Sequence, residues 1–312
     1  MACHKCPERS VITLQHGELC KNHFLSYFED KVFKTIKKYS LISRQDVIGV
    51  AASGGKDSLT ALYLTQKYLQ ENNLNNKLFA LAIDEGIHEY RATTLQDLQE
   101  FCEGRNIPVT VVRSQEIFGQ TLDEAYPRVN RGTKKKPCNV CGVWRRYLIN
   151  KHARKLGATK VITGHNLDDE AQAIVMNWFK ANTSLAAHLG PISGVEEHEL
   201  FVPRVKPLYF CPEKEVRLYA LLKGFKIQFV ECPYARDGYR AQIQDLLNDF
   251  EAKYKGTKQG IINSFLDILP LLKERERKSE KGTIQQCQEC GEPAHGEVCN
   301  ACKIKEVLVV ES

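Results

Sequence analysis

Short apolar runs alternate with longer amphipathic segments through most of the chain. Each short run predicts a buried strand, and each longer segment has the apolar spacing that is typical of a helix. The predicted strands are Val47–Ala52, Leu78–Ile83, Val109–Val112, Lys160–Thr163 and Ile227–Val230. The predicted helices cover about Ser58–Gln70, Thr93–Gly104, Val143–Leu156, Asp168–Lys180, Glu213–Lys223, Ile243–Tyr254 and Ile261–Lys273. This alternation predicts the α/β fold class, with a doubly wound parallel sheet and helices on both of its faces.

Two segments do not follow this pattern. Residues 182–199 contain a Gly-Pro pair and no clear periodicity, which predicts a loop. The mixed charges of Lys273–Lys278 are typical of a solvated helix end or a linker. Because both ends of the chain are rich in cysteine, we expect three parts, which are residues 1–25, 26–280 and 281–312.

Composition narrows the possible classes of protein. The chain has 312 residues, of which 43% are hydrophobic, and no stretch is long and apolar enough to span a bilayer. The N-terminal residues show no apolar signal region, so we expect a cytoplasmic protein without a membrane partner. In that reducing compartment the 12 cysteines are better explained by metal binding or catalysis than by disulfides. The net charge of +6 is weak evidence for an anionic partner, because thiolates bound to a metal would cancel part of it.

A glycine-rich hexapeptide, Ser53–Ser58, follows the first predicted strand and opens the first predicted helix. Its two glycines allow a sharp turn that points backbone N–H groups at an anion, and the helix N-terminus adds a positive dipole end. Lys56 adds a mobile positive charge. The spacing differs from the Walker pattern, so γ-phosphate transfer is not the obvious reaction. The predicted phosphate-binding residues are Ala52, Ser53, Gly54, Gly55, Lys56, Asp57 and Ser58.

A second motif, Thr163–Glu170, also falls where a predicted strand enters a helix. Ligands of open α/β sheets bind at the carboxyl ends of the strands, so this loop and the hexapeptide can face one site. We expect Gly164 to allow close approach of a nucleotide, Asp169 and Glu170 to hold magnesium or orient the attacking oxygen, and Asp168 to cap the helix. Ile83 and Asp84, at the end of the second strand, are predicted to line the nucleotide pocket.

The two ends of the chain carry zinc-ligand spacings. The N-terminal pattern is C-x2-C-x13-C-x2-H and the C-terminal one is C-x2-C-x8-C-x2-C, both typical of structural zinc ribbons. The predicted ligands are Cys3, Cys6, Cys20 and His23 for one ion, and Cys287, Cys290, Cys299 and Cys302 for the other.

Cys138 and Cys141 form a C-x-x-C pair with no second pair nearby. Such a pair can be a redox dithiol, half of a metal site or a coincidence. One distant cysteine would complete a set of three ligands with an open position. Cys232 lies at a predicted strand end and is the candidate, with Cys211 and Cys102 as rivals, although the helical pattern around Cys102 is more typical of a buried apolar residue.

The hexapeptide SGGKDS resembles the loop of the ATP-pyrophosphatases, which split ATP between its α- and β-phosphates. Together with C-x-x-C before a basic helix, GHNLDDEA and ECPY, it is similar over essentially the whole chain to the tRNA 2-thiouridine synthetases that have zinc ribbons at both ends. The resemblance implies an adenine nucleotide α-hydrolase-like fold, ATP and Mg²⁺, and a 4Fe–4S cluster held by Cys138, Cys141 and Cys232. It also implies sulfide or a ubiquitin-like thiocarboxylate carrier as sulfur donor, and a homodimer is possible.

The implied reaction is adenylation of a uridine O2 followed by sulfur transfer to C2. The implied catalytic residues are Lys56, Asp57, Asp169 and Arg145. Two residues depart from the family pattern. Two alanines precede the loop serine where valine is common, and Arg145 stands where lysine also occurs. Because arginine does not readily donate a proton, we expect Arg145 to bind phosphate or uridine.

Basic and aromatic residues near the cysteine pair predict a tRNA surface. The basic residues are Lys134–Lys136, Arg145, Arg146, Lys151, Arg154, Lys155, Arg204, Lys206, Arg236 and Arg240. The aromatic residues that could stack on a displaced base are Trp144, Tyr147, Tyr234 and Tyr239, of which Tyr147 can equally belong to the core.

Three alternatives remain at this point. An ATP-pyrophosphatase with another nucleophile, such as an amidotransferase or a tRNA ligase, would not need the three cysteines. A non-enzymatic zinc-ribbon scaffold would not need the hexapeptide. Among thiolases, the target is the wobble uridine or a T-loop uridine. Thermophiles use the T-loop modification for heat stability, and this chain is rich in thermolabile Asn and Gln, which favours the wobble uridine.

Overall fold

A computed structural model describes residues 1–133, 136–195, 198–227, 232–234, 238–279 and 284–310. The strands are β1 (Ser10–Leu14), β2 (Gly17–Cys20), β3 (Ile48–Ala51), β4 (Leu78–Asp84), β5 (Val109–Arg113), β6 (Lys160–Thr163), β7 (Arg204–Val205), β8 (Gln285–Gln286) and β9 (Pro293–Ala294). The helices are α1 (Lys21–Lys38), α2 (Lys56–Glu71), α3 (Arg91–Glu103), α4 (Ser114–Phe118), α5 (Leu122–Thr133), α6 (Pro137–Lys155), α7 (Leu167–Phe179), α8 (Thr183–Ala187), α9 (Glu213–Leu222), α10 (Tyr239–Lys253), α11 (Thr257–Lys278) and α12 (Asn300–Val310).

Five parallel strands form the central sheet in the order β5-β4-β3-β6-β7. The middle strand, β3, pairs Ala51 with Leu81 on one side and with Thr163 on the other. The strands that precede the two predicted loops therefore end side by side at one edge of the sheet. The predicted α/β class and parallel sheet are confirmed.

Alternate residues of the strands point into two separate apolar cores, one on each face of the sheet. Along β4, Ala80 and Ala82 belong to the core beneath α1, α2, α3 and α9, whereas Phe79 and Leu81 belong to the core beneath α5, α6 and α12. Helices α7, α8, α10 and α11 pack together around a third apolar cluster. The sheet is thus covered on both faces, and its carboxyl edge is left for the loops.

Several elements differ from the predictions, and α4, α5, α12 and β7 were not predicted. Helix α6 begins at Pro137, because proline is well suited to the first helical turn, so Cys138 and Cys141 lie inside the helix rather than before it. The predicted loop contains α8, which begins at an Asn182 side-chain cap. The charged run Lys273–Lys278 is the end of α11, which is one of the two alternatives predicted for it. Helix α1 was not predicted, and it runs across the proposed boundary at residue 25.

Some predictions fall outside the described residues. These are residues 228–230 of the last predicted strand, together with Lys134, Lys135 and Arg236 of the basic surface. Within the described part of the chain, no helix combines the length and the apolar composition needed to cross a membrane.

Candidate active site

The hexapeptide forms a tight turn between β3 and α2. Gly54 has a φ of +84°, and a methyl group there would overlap the carbonyl oxygen of Thr94, so the loop needs glycine at this position. The Ser58 hydroxyl accepts from the Ser53 N–H at 3.1 Å and donates to the Gly55 carbonyl at 2.9 Å. These bonds hold the loop closed from within, so the Ser58 hydroxyl shapes the turn.

Lys56 lies at the start of α2 with two carboxylate partners. Its Nζ is 2.8 Å from an oxygen of Asp57 and 2.8 Å from an oxygen of Glu213. Desolvation lowers the pKa of Lys56, but the two carboxylates outweigh this effect and raise the pKa overall. Lys56 is therefore a fixed cation beside the loop. Glu213 follows Pro212 at the first turn of α9, and its contact with Lys56 was not predicted, because no motif links the two residues.

The second motif contacts the first directly. A methyl group on Gly164 would lie 2.8 Å from the backbone carbon of Asp57 and 2.9 Å from the Ser58 nitrogen, so only glycine permits this approach. The Asn166 side chain donates to Asp57 at 3.0 Å. The predicted meeting of the two loops at the edge of the sheet is thus present in the structure.

The start of α7 corrects the assignment of its cap. Asn166, and not Asp168, is the N-cap: its side chain accepts from the Asp169 N–H, and the Asp169 carboxylate accepts from the Asn166 N–H. Asp168 instead accepts from the Glu213 N–H at 2.7 Å and pairs with buried Lys258. The N-x-x-D spacing is a capping signal that identifies Asn166 in retrospect.

The other two acidic residues of the motif have different environments. Glu170 is buried, and its Oε1 lies 2.7 Å from the Nζ of the equally buried Lys206, whereas its Oε2 is buried without a hydrogen-bond partner among the described residues. Asp169 is half-buried and pairs with Arg240 at 2.8 Å. Desolvation raises the pKa of Asp169 to about 6, with Arg240 opposing the shift and Asp57 adding to it. Asp57 and Asp169 both contact Asn166, so two carboxylates lie beside the loop at the junction of the two motifs.

The end of β4 carries Ile83 and Asp84, which were predicted to line the nucleotide pocket, and lies beside an arginine that was not predicted. Asp84 accepts from the Gly86 N–H at 2.9 Å, which shapes the turn after the strand. The Ile83 carbonyl is occupied, because Arg91 donates to it. Arg91 also donates to the Ser53 carbonyl at 2.7 Å, so it connects β4 with the phosphate loop. Arg91 is the first residue of α3, two residues before the predicted start of that helix, and it carried no sequence signal.

The three candidate cluster ligands come from two segments. The Cys138 thiol lies 3.5 Å from the Tyr234 carbonyl, so Cys232–Tyr234 lies against the start of α6. Desolvation raises the pKa of Cys141 to about 12, and the nearby charges of Glu85, Arg145, Cys232 and Cys138 also act on it. The rivals Cys102 and Cys211 are both fully buried in the core. The structure therefore brings Cys232, and neither rival, beside the C-x-x-C pair.

Arg145 lies one helical turn after Cys141, with 47% of its side chain exposed. Its Nε is 3.2 Å from Glu85, a buried carboxylate that is also 3.0 Å from Arg91. Desolvation lowers the pKa of Arg145, but the charges of Glu85 and Cys141 outweigh this effect and raise the pKa overall. Arg145 thus stays charged between the cysteines and the phosphate loop.

Both terminal ligand sets converge. In each set of four, all ligand atoms lie within 4.8 Å of one another, and among the described residues these are the two groups that meet this criterion. The Sγ–Sγ distances are 3.6 Å for Cys6–Cys20 and 3.7 Å for Cys290–Cys299, and the Cys20 Sγ lies 3.3 Å from the His23 Nδ1. Zinc–sulfur bonds of about 2.3 Å give a tetrahedron edge of about 3.8 Å, so both sets fit zinc. A 4Fe–4S cluster is larger than one ion and needs more widely spaced thiolates than this criterion allows.

Much of the predicted tRNA surface has other contacts. Trp144 is wrong as a base-stacking residue, because it is fully buried and stacks on Phe118 with ring centroids 4.4 Å apart. Lys206 is buried with Glu170, and Arg154 pairs with Glu292 at 3.4 Å. Arg145 and Arg146 are exposed on α6 and remain available to an anion.

The parallel sheet and its two touching loops define an α/β protein with a phosphate-binding site at the carboxyl edge of the strands. A family model described as a PP-loop domain matches residues 25–239. The tRNA-5-methyluridine(54) 2-sulfurtransferase of Pyrococcus horikoshii is 35% identical, over 97% of this chain and 93% of that protein. The tRNA 2-thiolation protein NcsA of Haloferax volcanii is 33% identical, over 99% of both. The chain belongs to the PP-loop family of tRNA 2-thiolation proteins.

A solved structure agrees with this assignment. The U34-tRNA thiolase NcsA from Methanococcus maripaludis, described with its [4Fe-4S] cluster, is 30% identical and superposes with a TM-score of 0.80. The match covers 99% of this chain and 96% of that one. The family predicted from the four motifs is confirmed.

Proposed function

We propose that this protein is a tRNA uridine 2-sulfurtransferase that uses ATP to convert the wobble uridine to 2-thiouridine. The observation that carries the proposal is the connected arrangement of the two halves of the site. Arg91 contacts the Ser53 carbonyl and Glu85, and Glu85 contacts Arg145, which lies one turn from Cys141. A site for splitting ATP therefore adjoins a set of thiols that can hold a sulfur carrier.

The first half-reaction activates the uridine. The O2 atom attacks the α-phosphorus of ATP, the bond to the β-phosphate breaks, and pyrophosphate leaves. The loop N–H groups and Lys56 hold the leaving pyrophosphate, for which Lys56 must exchange its contacts with Asp57 and Glu213. Asp57 and Asp169 would hold the Mg²⁺ that offsets the phosphate charge. Activation is needed because a carbonyl oxygen is a very poor leaving group.

The second half-reaction exchanges the oxygen for sulfur. A sulfide attacks C2, the bond from C2 to O2 breaks, and AMP leaves with that oxygen. Cys138, Cys141 and Cys232 would hold the 4Fe–4S cluster, which supplies a sulfide carrier and a Lewis acid. Arg145 offers a charge beside these thiols, and the Tyr234 ring lies in the same segment as Cys232. The two zinc ribbons would stabilise the ends of the chain.

The choice of uridine rests on composition and on the relatives. The Methanococcus NcsA is described as a U34-tRNA thiolase, which supports the wobble position, whereas the Pyrococcus relative is described as acting on 5-methyluridine 54, a T-loop position. Relatives from Drosophila and Caenorhabditis are called cytoplasmic tRNA 2-thiolation protein 1, which supports the cytoplasm as location.

The test is an anaerobic assay of the purified protein with a tRNA transcript, Mg–ATP and sulfide, followed by mass spectrometry of the nucleosides. Three transcripts are compared: the unchanged tRNA, one with cytidine at the wobble position, and one with cytidine at the T-loop position. We expect 2-thiouridine in the first and third transcripts only. If 2-thiouridine is lost only in the transcript with cytidine at the T-loop position, the T-loop uridine is the target. If no transcript yields 2-thiouridine, the proposed function is refuted.

A further inference from the structure

A buried carboxylate joins the two halves of the site. Glu85 follows β4 directly and is 4% exposed. Its two oxygens face two arginines, with Oε2 3.0 Å from the Arg91 Nε and Oε1 3.2 Å from the Arg145 Nε. Burying a carboxylate is costly unless its charge is compensated, and here each oxygen has its own cation. Nothing in the splitting of ATP or in the binding of a cluster by thiols requires this residue.

The Arg91 side of this bridge is fixed by backbone groups. Arg91 is itself buried, and it donates to the carbonyls of Ile83 and Ser53. The Ser53 carbonyl belongs to the phosphate loop, and the Ile83 carbonyl belongs to the end of β4. Glu85 has a fixed backbone too, since its carbonyl accepts from the Leu122 N–H at 2.7 Å. This side of the bridge can therefore act as a rigid support.

The Arg145 side is open. Arg145 lies on α6, one turn after Cys141, and nearly half of its side chain is exposed at 47%. A guanidinium has five N–H donors in a planar fork, and Glu85 faces the Nε edge. The exposed remainder of the fork can still meet a phosphate, the anion whose geometry it matches.

We infer that Glu85 is a positioning residue that holds the Arg145 guanidinium at the junction of the phosphate loop and the cysteines, so that it binds a phosphate group of the substrate. The inference rests on the proposed function, since that function brings two phosphate-bearing substrates to this junction. The phosphate belongs either to the tRNA backbone or to ATP. Glu85 does not touch the substrate and acts through Arg145.

The decisive variant is Glu85→Gln. It keeps the volume of the side chain, but its amide has one acceptor oxygen in place of two, so it cannot serve both arginines. Arg91 keeps its two backbone acceptors, and Arg145 is the cation that loses its support. Glu215→Gln is the matched control, because Glu215 is also 4% exposed and its cation, Lys31 at 3.0 Å, belongs to neither half of the site.

Four proteins are compared: Glu85→Gln, Arg145→Gln, the double variant and Glu215→Gln. Two quantities are measured, the affinity for tRNA without ATP by filter binding, and the KM for ATP. We expect Glu85→Gln to weaken one of them about ten-fold, the scale of one charge-assisted hydrogen bond. A change in tRNA affinity identifies a backbone phosphate, and a change in the KM identifies ATP. The double variant should match Arg145→Gln, because residues that act through one another are not additive.

Two results would overturn the inference. One is an effect of Glu85→Gln that persists in full in the Arg145→Gln background, and the other is no change in either quantity. Glu215→Gln should lower the midpoint of thermal unfolding as much as Glu85→Gln while leaving both quantities unchanged. If Glu85→Gln does not fold, Glu85→Asp keeps the charge for Arg91 but is too short for both arginines, and the same outcomes apply. Filter binding measures tRNA affinity and does not require the thiolation reaction. A protein that binds tRNA but forms no 2-thiouridine would therefore refute the proposed function without deciding this inference.

Discussion

The phosphate half and the cysteine half of this site are built in different ways. The phosphate half consists of two short loops whose backbones touch, with Gly54 and Gly164 at the positions where a side chain would collide. The cysteine half consists of side chains from α6 and from the distant segment Cys232–Tyr234, joined by a contact such as that between Cys138 and the Tyr234 carbonyl. A site formed by the backbone of short loops can be recognised from a contiguous sequence motif. A site formed by side chains from distant segments can be recognised only when the fold that brings them together is known.

The largest effect is expected from Gly54→Ala. The new methyl group would overlap the Thr94 carbonyl, and a φ of +84° is unfavourable for alanine. We expect the free energy of unfolding to fall by at least about 2 kcal/mol, and tRNA-dependent pyrophosphate release to fall by about a hundred-fold or more. Urea unfolding and a pyrophosphate assay measure the two quantities.

Gly55→Ala is the control for this variant. A methyl group at Gly55 would lie 3.5 Å from the Ser53 Oγ, an ordinary contact, and its backbone is not left-handed. We expect its unfolding free energy to stay close to that of the unchanged protein. If the two variants lose equal stability, the phosphate half is not fixed by its backbone as described.

The second largest effect is expected from a variant that impairs the cysteine half and leaves the phosphate half intact. Cys138→Ser removes one thiol of the set but touches neither loop. We expect 2-thiouridine formation to fall by about a hundred-fold, while tRNA-dependent pyrophosphate release stays within a few-fold of the unchanged protein. Both products are measured in the same reaction.

Cys102→Ala provides the comparison for the loss of a thiol. Cys102 is fully buried in α3, where burial raises the pKa of its thiol to about 11, so it serves as an apolar core residue. This variant should lose some stability and keep both products. Loss of pyrophosphate release in Cys138→Ser would show that the halves are not separable.

The periodic part of the fold could be predicted from the sequence. Strand β6 has the predicted bounds, β4 and β5 are each one residue longer at one end, and β3 is one residue shorter at both ends. Buried parallel strands are continuous apolar runs bounded by turns, so their signal is local. Helix α1 was not predicted, because the ligands Cys20 and His23 lie at its start, where their spacing resembles that of a zinc ribbon, although Phe24, Phe28 and Val32 form an apolar face.

The limits of prediction at the site follow the same division. Lys56 and Gly164 were predicted because they stand in contiguous motifs at strand ends. Glu85, Arg91 and Glu213 were not predicted, because each acts through a contact with a residue from another element. Trp144 was misassigned, since an aromatic residue on a basic helix has the same local pattern whether it faces a nucleic acid or the core.

The smallest expected effect concerns the charge of the phosphate half in the absence of nucleotide and Mg²⁺. Burial raises the pKa of Asp169 from 3.8 to about 6, so the folded protein holds this proton more tightly than the unfolded chain does. Below both pKa values Asp169 is protonated in the folded and the unfolded state, so it does not change the free energy of unfolding. As the pH rises from 3.8 to 6 the folded state therefore loses stability relative to the unfolded state, and above that window the loss is constant.

Asp169→Asn tests this directly, because asparagine does not titrate. Its stability advantage over the unchanged protein should grow across that window, by on the order of 1 kcal/mol after solvent screening. Arg240→Gln removes the cation that opposes the shift, so it should extend the window to higher pH. Urea unfolding at a series of pH values measures both. A flat difference for Asp169→Asn would mean that burial does not raise the pKa of Asp169 in the folded protein, which would contradict the environment described for this carboxylate.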